Sequence, residues 1–137
     1  MMDNDINLDI PKLINYWTTS SDNDYFTMSD LFSTKHYNWS LFLGHLVIEK
    51  LLKAYYIQTK KTFPPLIHDL RRIGELAGLE FDDDKKIILD TISRFNINAR
   101  YDDYKANFYK LCTKEFTEKW ITEIKEIRQW IRMELLK

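Results

Sequence analysis

The sequence predicts an all-helical protein, folded as a single up-and-down antiparallel bundle of four or five helices. Helix-breaking residues are scarce, with three Gly and three Pro among 137 residues, whereas turn-rich β sandwiches and barrels need many more. Apolar residues also recur at spacings of three and four, which is the helical period. A chain of this length buries roughly two-thirds of its unfolded surface without a metal or disulfide, so we expect one domain over residues 1–137.

The first predicted helix covers about residues 10–33. Pro11 falls in its first turn, where the missing N–H costs little. Residues 18–24 are short and polar, and such side chains compete for backbone hydrogen bonds and locally favour a break. The three- and four-residue spacing nevertheless continues from Trp17 to Leu31. Because tertiary packing often outweighs propensity, the sequence predicts one long helix.

The second predicted helix, about residues 37–60, is apolar on two opposite faces, which is typical of the buried centre of a bundle. Its narrow polar stripe carries His45, Glu49 and Lys53. Glu49 precedes Lys53 by four residues, the favourable order for an ion pair, which contributes about 0.3 kcal/mol if exposed. Pro64-Pro65 lack N–H donors and disfavour helix before them, so the helix ends ahead of this pair.

Two helices are predicted after the prolines. A short one starts at His68-Asp69-Leu70 and ends at Gly78, a residue typical of helix C-termini. The next starts at Asp82-Asp83-Asp84, where carboxylates meet the positive end of the helix dipole. Two asparagines at its end, in Asn96-Ile97-Asn98, predict fraying over residues 96–98.

The C-terminal part is predicted to contain a loop and one long helix. Residues 99–103 are interpreted as the loop. The last helix runs from about residue 113 to residue 136, because an apolar stripe there lies opposite polar side chains. That stripe consists of Phe116, Trp120, Ile121, Ile124, Ile127, Ile131 and Leu135.

The distribution of charge and cysteine argues against a membrane or secreted protein. The longest stretch without Asp, Glu, Lys or Arg is 13 residues, 36–48, whereas a membrane-spanning helix needs roughly 20. The chain opens with Asp3, Asn4 and Asp5 rather than the basic residues of a signal peptide. Cys112 is the only cysteine, so no internal disulfide forms. We expect a cytoplasmic protein with no membrane partner.

Charge is unevenly distributed along the chain. Residues 1–34 carry six aspartates and one lysine, a net of −5, so the remainder carries +4 of the total −1. This total excludes a strongly cationic nucleic-acid binder but not a local basic patch. In one interpretation this asymmetry steers self-association or the approach of an RNA backbone. In the other it is the charge of an ordinary solvated surface.

Residues suited to metal or cofactor chemistry are few. Three histidines and one cysteine, without close spacing, argue against zinc, and no glycine-rich phosphate loop is present, so we expect no cofactor. His68-Asp69 resembles part of the His…His-Asp…Asp pattern of helical metal-dependent phosphohydrolases, which His45 and Asp102 or Asp103 would complete. The simpler alternative is that His68 or Asp69 caps a helix.

Three ordered segments together resemble one family. Residues 37–54 combine an aromatic start with a Glu-Lys-x-x-Lys-Ala centre, Pro64-Pro65 precede His68-Asp69-Leu70, and Ala99-Arg100-Tyr101 follow the fourth predicted helix. In this order they resemble the HEPN family (higher eukaryote and prokaryote nucleotide-binding domains). The resemblance covers most of residues 10–136.

The resemblance implies a bundle of four or five helices that forms a homodimer. Many HEPN proteins are metal-independent ribonucleases or toxins, often encoded beside a small nucleotidyltransferase antitoxin. Their active motif is an Arg, a polar residue and then a His a few positions later. This chain departs from that motif, because its last histidine, His68, precedes its first arginine, Arg71. The resemblance therefore implies a non-catalytic module that binds a nucleotide, RNA or a nucleotidyltransferase partner, in a toxin–antitoxin or defence context.

Five residues are candidates for binding a phosphate or other ligand: Arg100, Tyr101, His68, Lys53 and His45. A planar guanidinium beside an aromatic ring suits contact with a nucleotide. In the alternative interpretation, Arg100 pairs with Asp69 or Asp102 and only fixes the loop. Two enzymatic hypotheses also stay open: a metal-independent ribonuclease with a rearranged site, using Arg100 with His45 or His68, and the metal phosphohydrolase.

Overall fold

The computed structural model describes residues 8–137, which form helices and connecting turns with no strand in that range. Asp3, Asn4 and Asp5 lie outside it. None of the described helices has a stretch long and apolar enough to cross a bilayer. The all-helical prediction is confirmed, with one helix more than the predicted maximum. In chain order the helices are α1 (Ile10–Ser33), α2 (Tyr37–Lys60), α3 (Leu70–Leu76), α4 (Asp83–Asn98), α5 (Asp102–Leu111) and α6 (Lys114–Leu135).

Helix α2 is the centre of the molecule, as its two apolar faces predict. It contacts each of the other five helices. Because neighbours cover both faces, apolar side chains are buried on all sides of it. Those that are fully buried are Leu41, Val47, Ile48, Leu51, Leu52, Ala54 and Ile57.

Helix α1 is continuous from Ile10 to Ser33, so the predicted long helix is confirmed. Its short polar residues are used in packing against α2. The buried Ser21 hydroxyl donates to the Val47 carbonyl at 2.8 Å, and Asp24 pairs with Lys50 at 2.6 Å. These bonds across the helix pair replace the local ones that would break a helix.

Helix α3 begins and ends as predicted. The Asp69 carboxylate accepts from the Arg72 backbone N–H at 3.2 Å, which caps the helix start. Gly78 adopts a left-handed φ of 97° after the last turn, and the Leu79 N–H returns to the Gly74 carbonyl. Such a left-handed residue closes many helices.

Helix α4 starts at the predicted aspartates, because the Asp82 carboxylate accepts from the Lys85 backbone N–H at 2.8 Å. The predicted fraying over residues 96–98 is wrong, since the helix continues to Asn98. Its end is held by tertiary contacts: Asn96 is buried, and Phe95 packs against Phe108. Packing therefore outweighs the weak helix propensity of this segment.

Helix α5 was not predicted, and the loop expected over residues 99–103 is wrong in its second half. Asp102 and Asp103 form the first turn of this helix, where acidic side chains are favourable. Phe108 is its one fully covered side chain. The rest of α5 is exposed, so it lies on the bundle as a ridge.

Helix α6 confirms the last predicted helix. Thr113 caps it, and Ile121, Ile124, Ile127 and Ile131 are buried. It packs mainly on α2.

Candidate phosphate-binding site

Three of the five candidate residues lie in one cleft, of about 680 Å³, between the start of α3, the second half of α4 and the start of α5. The Leu70 N–H at the start of α3 donates to the Ser93 hydroxyl of α4 at 3.0 Å, which fixes the two walls. We call this cleft the Arg100 cleft. Its lining residues are His68, Asp69, Asp90, Ser93, Arg94, Asn96, Ile97, Arg100 and Tyr101.

The Arg100 side chain is held in place without an acidic partner. Its Nε–H donates to the Asn96 carbonyl and an Nη2–H to the Asn96 side-chain oxygen, both at 2.9 Å. The guanidinium carbon lies 5.5 Å from the ring centres of Phe42 and Tyr101. Two of its five N–H donors are thus occupied and three remain. A fixed guanidinium with free donors is suited to a phosphate.

The alternative interpretation of Arg100 is wrong. Within residues 8–137 Arg100 forms no ion pair with Asp69 or Asp102. Asp69 is instead the cap of α3, and Asp102 belongs to the first turn of α5.

The other charged residues that line the cleft are Asp69, Asp90 and Arg94. Asp90 is paired with Arg71 at 3.4 Å. Arg94 lies on the same wall and bonds only to the Thr91 hydroxyl, at 3.4 Å, among the residues described. A ligand that enters the cleft therefore meets the guanidinium groups of Arg94 and Arg100, neither of them in an ion pair within residues 8–137, together with the capping carboxylate of Asp69.

His68 stands at the edge of the cleft and is oriented by a buried carboxylate. Its Nδ1–H donates to Glu49 Oε1 at 2.9 Å. The His68 side chain is 61% exposed, whereas that of Glu49 is 6% exposed. For His68 Nε2 the described part of the structure offers no hydrogen-bond partner. The arrangement resembles the oriented histidines used for proton transfer.

The remaining two candidates, His45 and Lys53, are not brought to the cleft surface. His45 is fully buried, and its Nε2–H donates to the His68 carbonyl at 3.2 Å. Lys53 is also buried, donates to Glu49 Oε2 at 3.0 Å, and lies 5.5 Å from the Trp17 ring centre. Both residues therefore support the wall behind His68 rather than contact a ligand.

Burial and hydrogen bonding shift the pKa values of this network. Burial opposes the charged form of Glu49, but hydrogen bonds from His68 and Lys53 and the charge of His45 outweigh it, so the Glu49 pKa is lowered. For His45, burial is the largest effect and lowers the pKa, against the raising effect of its bond to the His68 carbonyl. Glu49 is thus held ionised and His45 neutral at neutral pH.

Sequence reasoning missed Glu49, Asn96 and Arg94 as parts of the site. Glu49 was interpreted only as the partner of Lys53 in an ion pair along the polar stripe, and the stripe that they share with His45 is buried. The stripe could have indicated this. Three ionisable residues spaced by four on an otherwise buried helix need hydrogen-bond partners, and some of these must come from other segments of the chain.

A metal centre has little support in the described part of the chain. Residues 8–137 contain no group of three or more His, Cys, Asp or Glu side chains placed to hold a metal ion. Asp69 caps α3, as the simpler alternative predicted. The residues of the phosphohydrolase pattern therefore do not form such a group within the described range.

A second groove lies between α4 and α6 and contains none of the candidate residues. Its volume is about 690 Å³, with Ile87, Trp120 and Trp130 among its lining side chains. Acidic residues at its margin, including Asp84 and Glu126, make it less suited to phosphate than the Arg100 cleft.

Comparison with known families agrees with the all-helical fold. The sequence model of the HEPN domain family matches residues 14–134, from α1 to the end of α6. The chain belongs to the HEPN domain family. Neither the curated proteins nor the solved structures contain a match to this HEPN chain. The residues that gave the resemblance lie in α2, before α3 and at the Arg100 cleft.

Proposed function

We propose that this HEPN domain binds the phosphate group of a nucleotide or of RNA in the Arg100 cleft, and does not cleave it. The observation that carries this proposal is the Arg100 guanidinium, fixed by Asn96 and two aromatic rings, with three N–H donors left for a ligand. Tyr101, 54% exposed beside it, offers a ring on which a base can stack. The order of His and Arg in this sequence supports binding over the family's ribonuclease chemistry.

The proposal is tested by binding of a fluorescently labelled single-stranded RNA, measured by anisotropy. Arg100→Ala is expected to weaken binding at least roughly tenfold, because a hydrogen bond to a charged group contributes about 1.5–3 kcal/mol. Arg72→Ala is the matched control, since Arg72 is an exposed arginine on α3 outside the cleft lining. Equal loss in both variants, or no binding by the parent protein, contradicts the proposal.

One contact favours a second function, a metal-independent ribonuclease with a rearranged site. Glu49 orients His68 through Nδ1, which leaves Nε2 to take the proton of an attacking 2′-hydroxyl. Arg100 in the same cleft would stabilise the charge that develops on the phosphate. This arrangement uses the histidine and the arginine in the reverse sequence order to the family motif.

The ribonuclease is tested by incubating purified protein with single-stranded RNA in the presence of a chelator. If this function operates, cleavage persists with chelator and is lost in His68→Gln and in Arg100→Ala. Glu49→Gln should reduce the rate less than His68→Gln does, because it acts through His68. Absence of cleavage by the parent protein removes this function and leaves the binding proposal intact.

We further propose that the domain forms a homodimer and pairs with a small nucleotidyltransferase protein, in a toxin–antitoxin or defence setting. Membership of the HEPN family supports this part, since HEPN domains commonly dimerise. Light scattering with and without a nucleotidyltransferase encoded by a neighbouring gene tests it. A protein that stays monomeric and forms no complex contradicts it.

A further inference from the structure

A second positively charged cleft lies at the start of α2, at the far end of α5 from Arg100. Its volume is about 380 Å³. We call it the Asn38 cleft. It is lined by Lys35, Tyr37, Asn38, Tyr109, Lys110, Cys112 and Thr113.

The start of α2 offers unused hydrogen-bond donors to this cleft. His36 precedes the helix and provides no side-chain cap, so the first backbone N–H groups lack the usual acceptor. Asn38, in the first turn, is only 6% exposed. Within residues 8–137 its side-chain amide forms no hydrogen bond, and its open side is the cleft. An amide without a protein partner that opens on a cleft is free to donate to a ligand there.

The charges around the Asn38 cleft favour an anion. Lys35 and Lys110 line it, and neither forms an ion pair with any residue in the described range. No acidic residue is among its lining. Burial raises the pKa of the Cys112 thiol to about 12, so the thiol adds no negative charge at neutral pH. The positive end of the α2 dipole acts in the same direction.

One face of α5 connects the two clefts. Tyr101 lines the Arg100 cleft and Tyr109 lines the Asn38 cleft. Lys105 lies midway, with its ammonium 5.6 Å from the Trp39 ring centre. These residues are spaced by four and therefore share a face, over a length of about 12 Å at 1.5 Å per residue. We call them the Tyr101–Lys105–Tyr109 stripe; both tyrosines are more than half exposed.

We propose that the Asn38 cleft binds a second phosphate of a single-stranded RNA whose first phosphate occupies the Arg100 cleft. The strand passes along the Tyr101–Lys105–Tyr109 stripe, where exposed rings accept bases and the lysine meets the backbone. The inference rests on the proposed function and narrows it, because a mononucleotide spans only one of the two clefts. The ligand class is therefore an RNA strand of several nucleotides.

The test compares two probes, a labelled oligouridylate of roughly eight nucleotides and uridine monophosphate. Lys110→Ala should weaken oligouridylate binding by roughly threefold to tenfold. It should also reduce the slope of log affinity against log salt concentration by about 0.7, the value for one phosphate contact on a single strand. Uridine monophosphate binding should stay unchanged. Lys125→Ala, an exposed lysine on α6 outside both clefts, is the matched control.

A second variant separates binding from folding. Asn38→Asp keeps the side-chain shape and places a negative charge at the start of α2, where it favours the helix dipole. The free N–H groups of the first turn and the neighbouring Lys35 and Lys110 offset the cost of this partly buried charge. The melting temperature should therefore not fall, whereas oligouridylate binding should weaken. A purely structural role for Asn38 would leave binding unchanged.

The outcomes distinguish this inference from the function on which it rests. If Arg100→Ala weakens binding but Lys110→Ala and Asn38→Asp do not, the second phosphate site is overturned and the proposed function stands. If Arg100→Ala has no effect on either probe, the proposed function fails, and the two-cleft path fails with it. Equal affinity for uridine monophosphate and oligouridylate also overturns the path.

Discussion

At the scale of single residues, Glu49 connects several parts of the site through its hydrogen bonds. It is 5% exposed and accepts hydrogen bonds from both His68 and Lys53, while His45 Nε2 lies 3.5 Å away. A buried carboxylate is costly unless it is paired and hydrogen-bonded. The three partners come from α2 and from the segment before α3, so Glu49 links these parts of the site.

Removing the charge of Glu49 should therefore destabilise the whole protein. Glu49→Gln leaves the Lys53 ammonium buried without a counter-charge, and breaking a buried pair in this way costs roughly 3 kcal/mol of unfolding free energy. Urea unfolding at neutral pH measures the loss. Glu75→Gln, which disrupts an exposed pair with Arg71, is the control and should change stability little. Similar losses in the two variants would contradict a special role for the buried network.

At the scale of helices, features encoded locally were predictable and those set by distant partners were not. The ends of α3 and α4 follow from Asp69 and Asp82, whose side chains bond within their own helices. Helix α5 was missed because its first residues were interpreted as a loop and Phe108 is its one buried side chain. The role of Glu49 in the site was missed because its partner His68 is 19 residues away. The spacing of residues along one helix does not show which other segment will cover its polar stripe.

The same limit applies to the site. The sequence identified Arg100, Tyr101 and His68, and these do share a cleft. It could not show that Asn96, four residues before Arg100, holds the guanidinium, since that required the helix to continue through a segment of poor propensity. His45 and Lys53 were candidates for binding a ligand, but both are buried, and their burial depends on tertiary packing that the sequence alone does not specify.

Packing between α2 and α6 depends on Gly44. A methyl group added there would overlap the Ile124 side chain and lie 3.2 Å from the Met28 sulfur. Gly44→Ala gains up to about 1 kcal/mol of helix propensity, but overpacking of a core typically costs about 1–3 kcal/mol. We expect a net loss of stability in urea unfolding.

The steric cause can be isolated by a double-mutant cycle. Ile124→Val removes the Cδ1 atom that the new methyl would meet and alone should cost about 0.5–1.5 kcal/mol. The double variant, Gly44→Ala with Ile124→Val, should be more stable than the sum of the two single losses predicts. Strict additivity would show that the loss at Gly44 has another origin.

At the scale of the whole molecule, ion pairs determine where positive charge remains available. The acidic α1 is partly neutralised by its neighbours, since Asp22 pairs with Arg128 and Asp24 with Lys50. By contrast, Arg94 and Arg100 are without acidic partners in the part of the chain described. From the Arg100 cleft an aromatic surface with two lysines, Lys105 and Lys110, runs along α5 beyond the aspartates of its first turn. Positive charge of this kind attracts a polyanion.

Global stability should fall on acidification because His45 and Glu49 both have lowered pKa values in the fold. Below the unfolded-state pKa of His45, 6.5, the unfolded chain takes up a proton that the folded chain does not. The loss therefore starts below pH 6.5 and reaches at most about 1.4 kcal/mol per pH unit for one group. Glu49 adds a loss of the same sign below its unfolded-state value of 4.5.

The geometry around His45 explains why the folded state resists its protonation. Its Nε2–H already donates to the His68 carbonyl, whereas Nδ1 is buried and has no hydrogen-bond partner in residues 8–137. A proton added there would be an unpaired buried donor, with Arg100 and His68 nearby as repelling charges and only Glu49 as an attracting one.

His45→Gln keeps a donor for the carbonyl but cannot titrate. The difference in unfolding free energy between pH 7.5 and pH 5.5 should therefore shrink in His45→Gln and persist in His36→Gln, an exposed histidine before α2. An undiminished difference in His45→Gln would show that other groups cause the acid sensitivity.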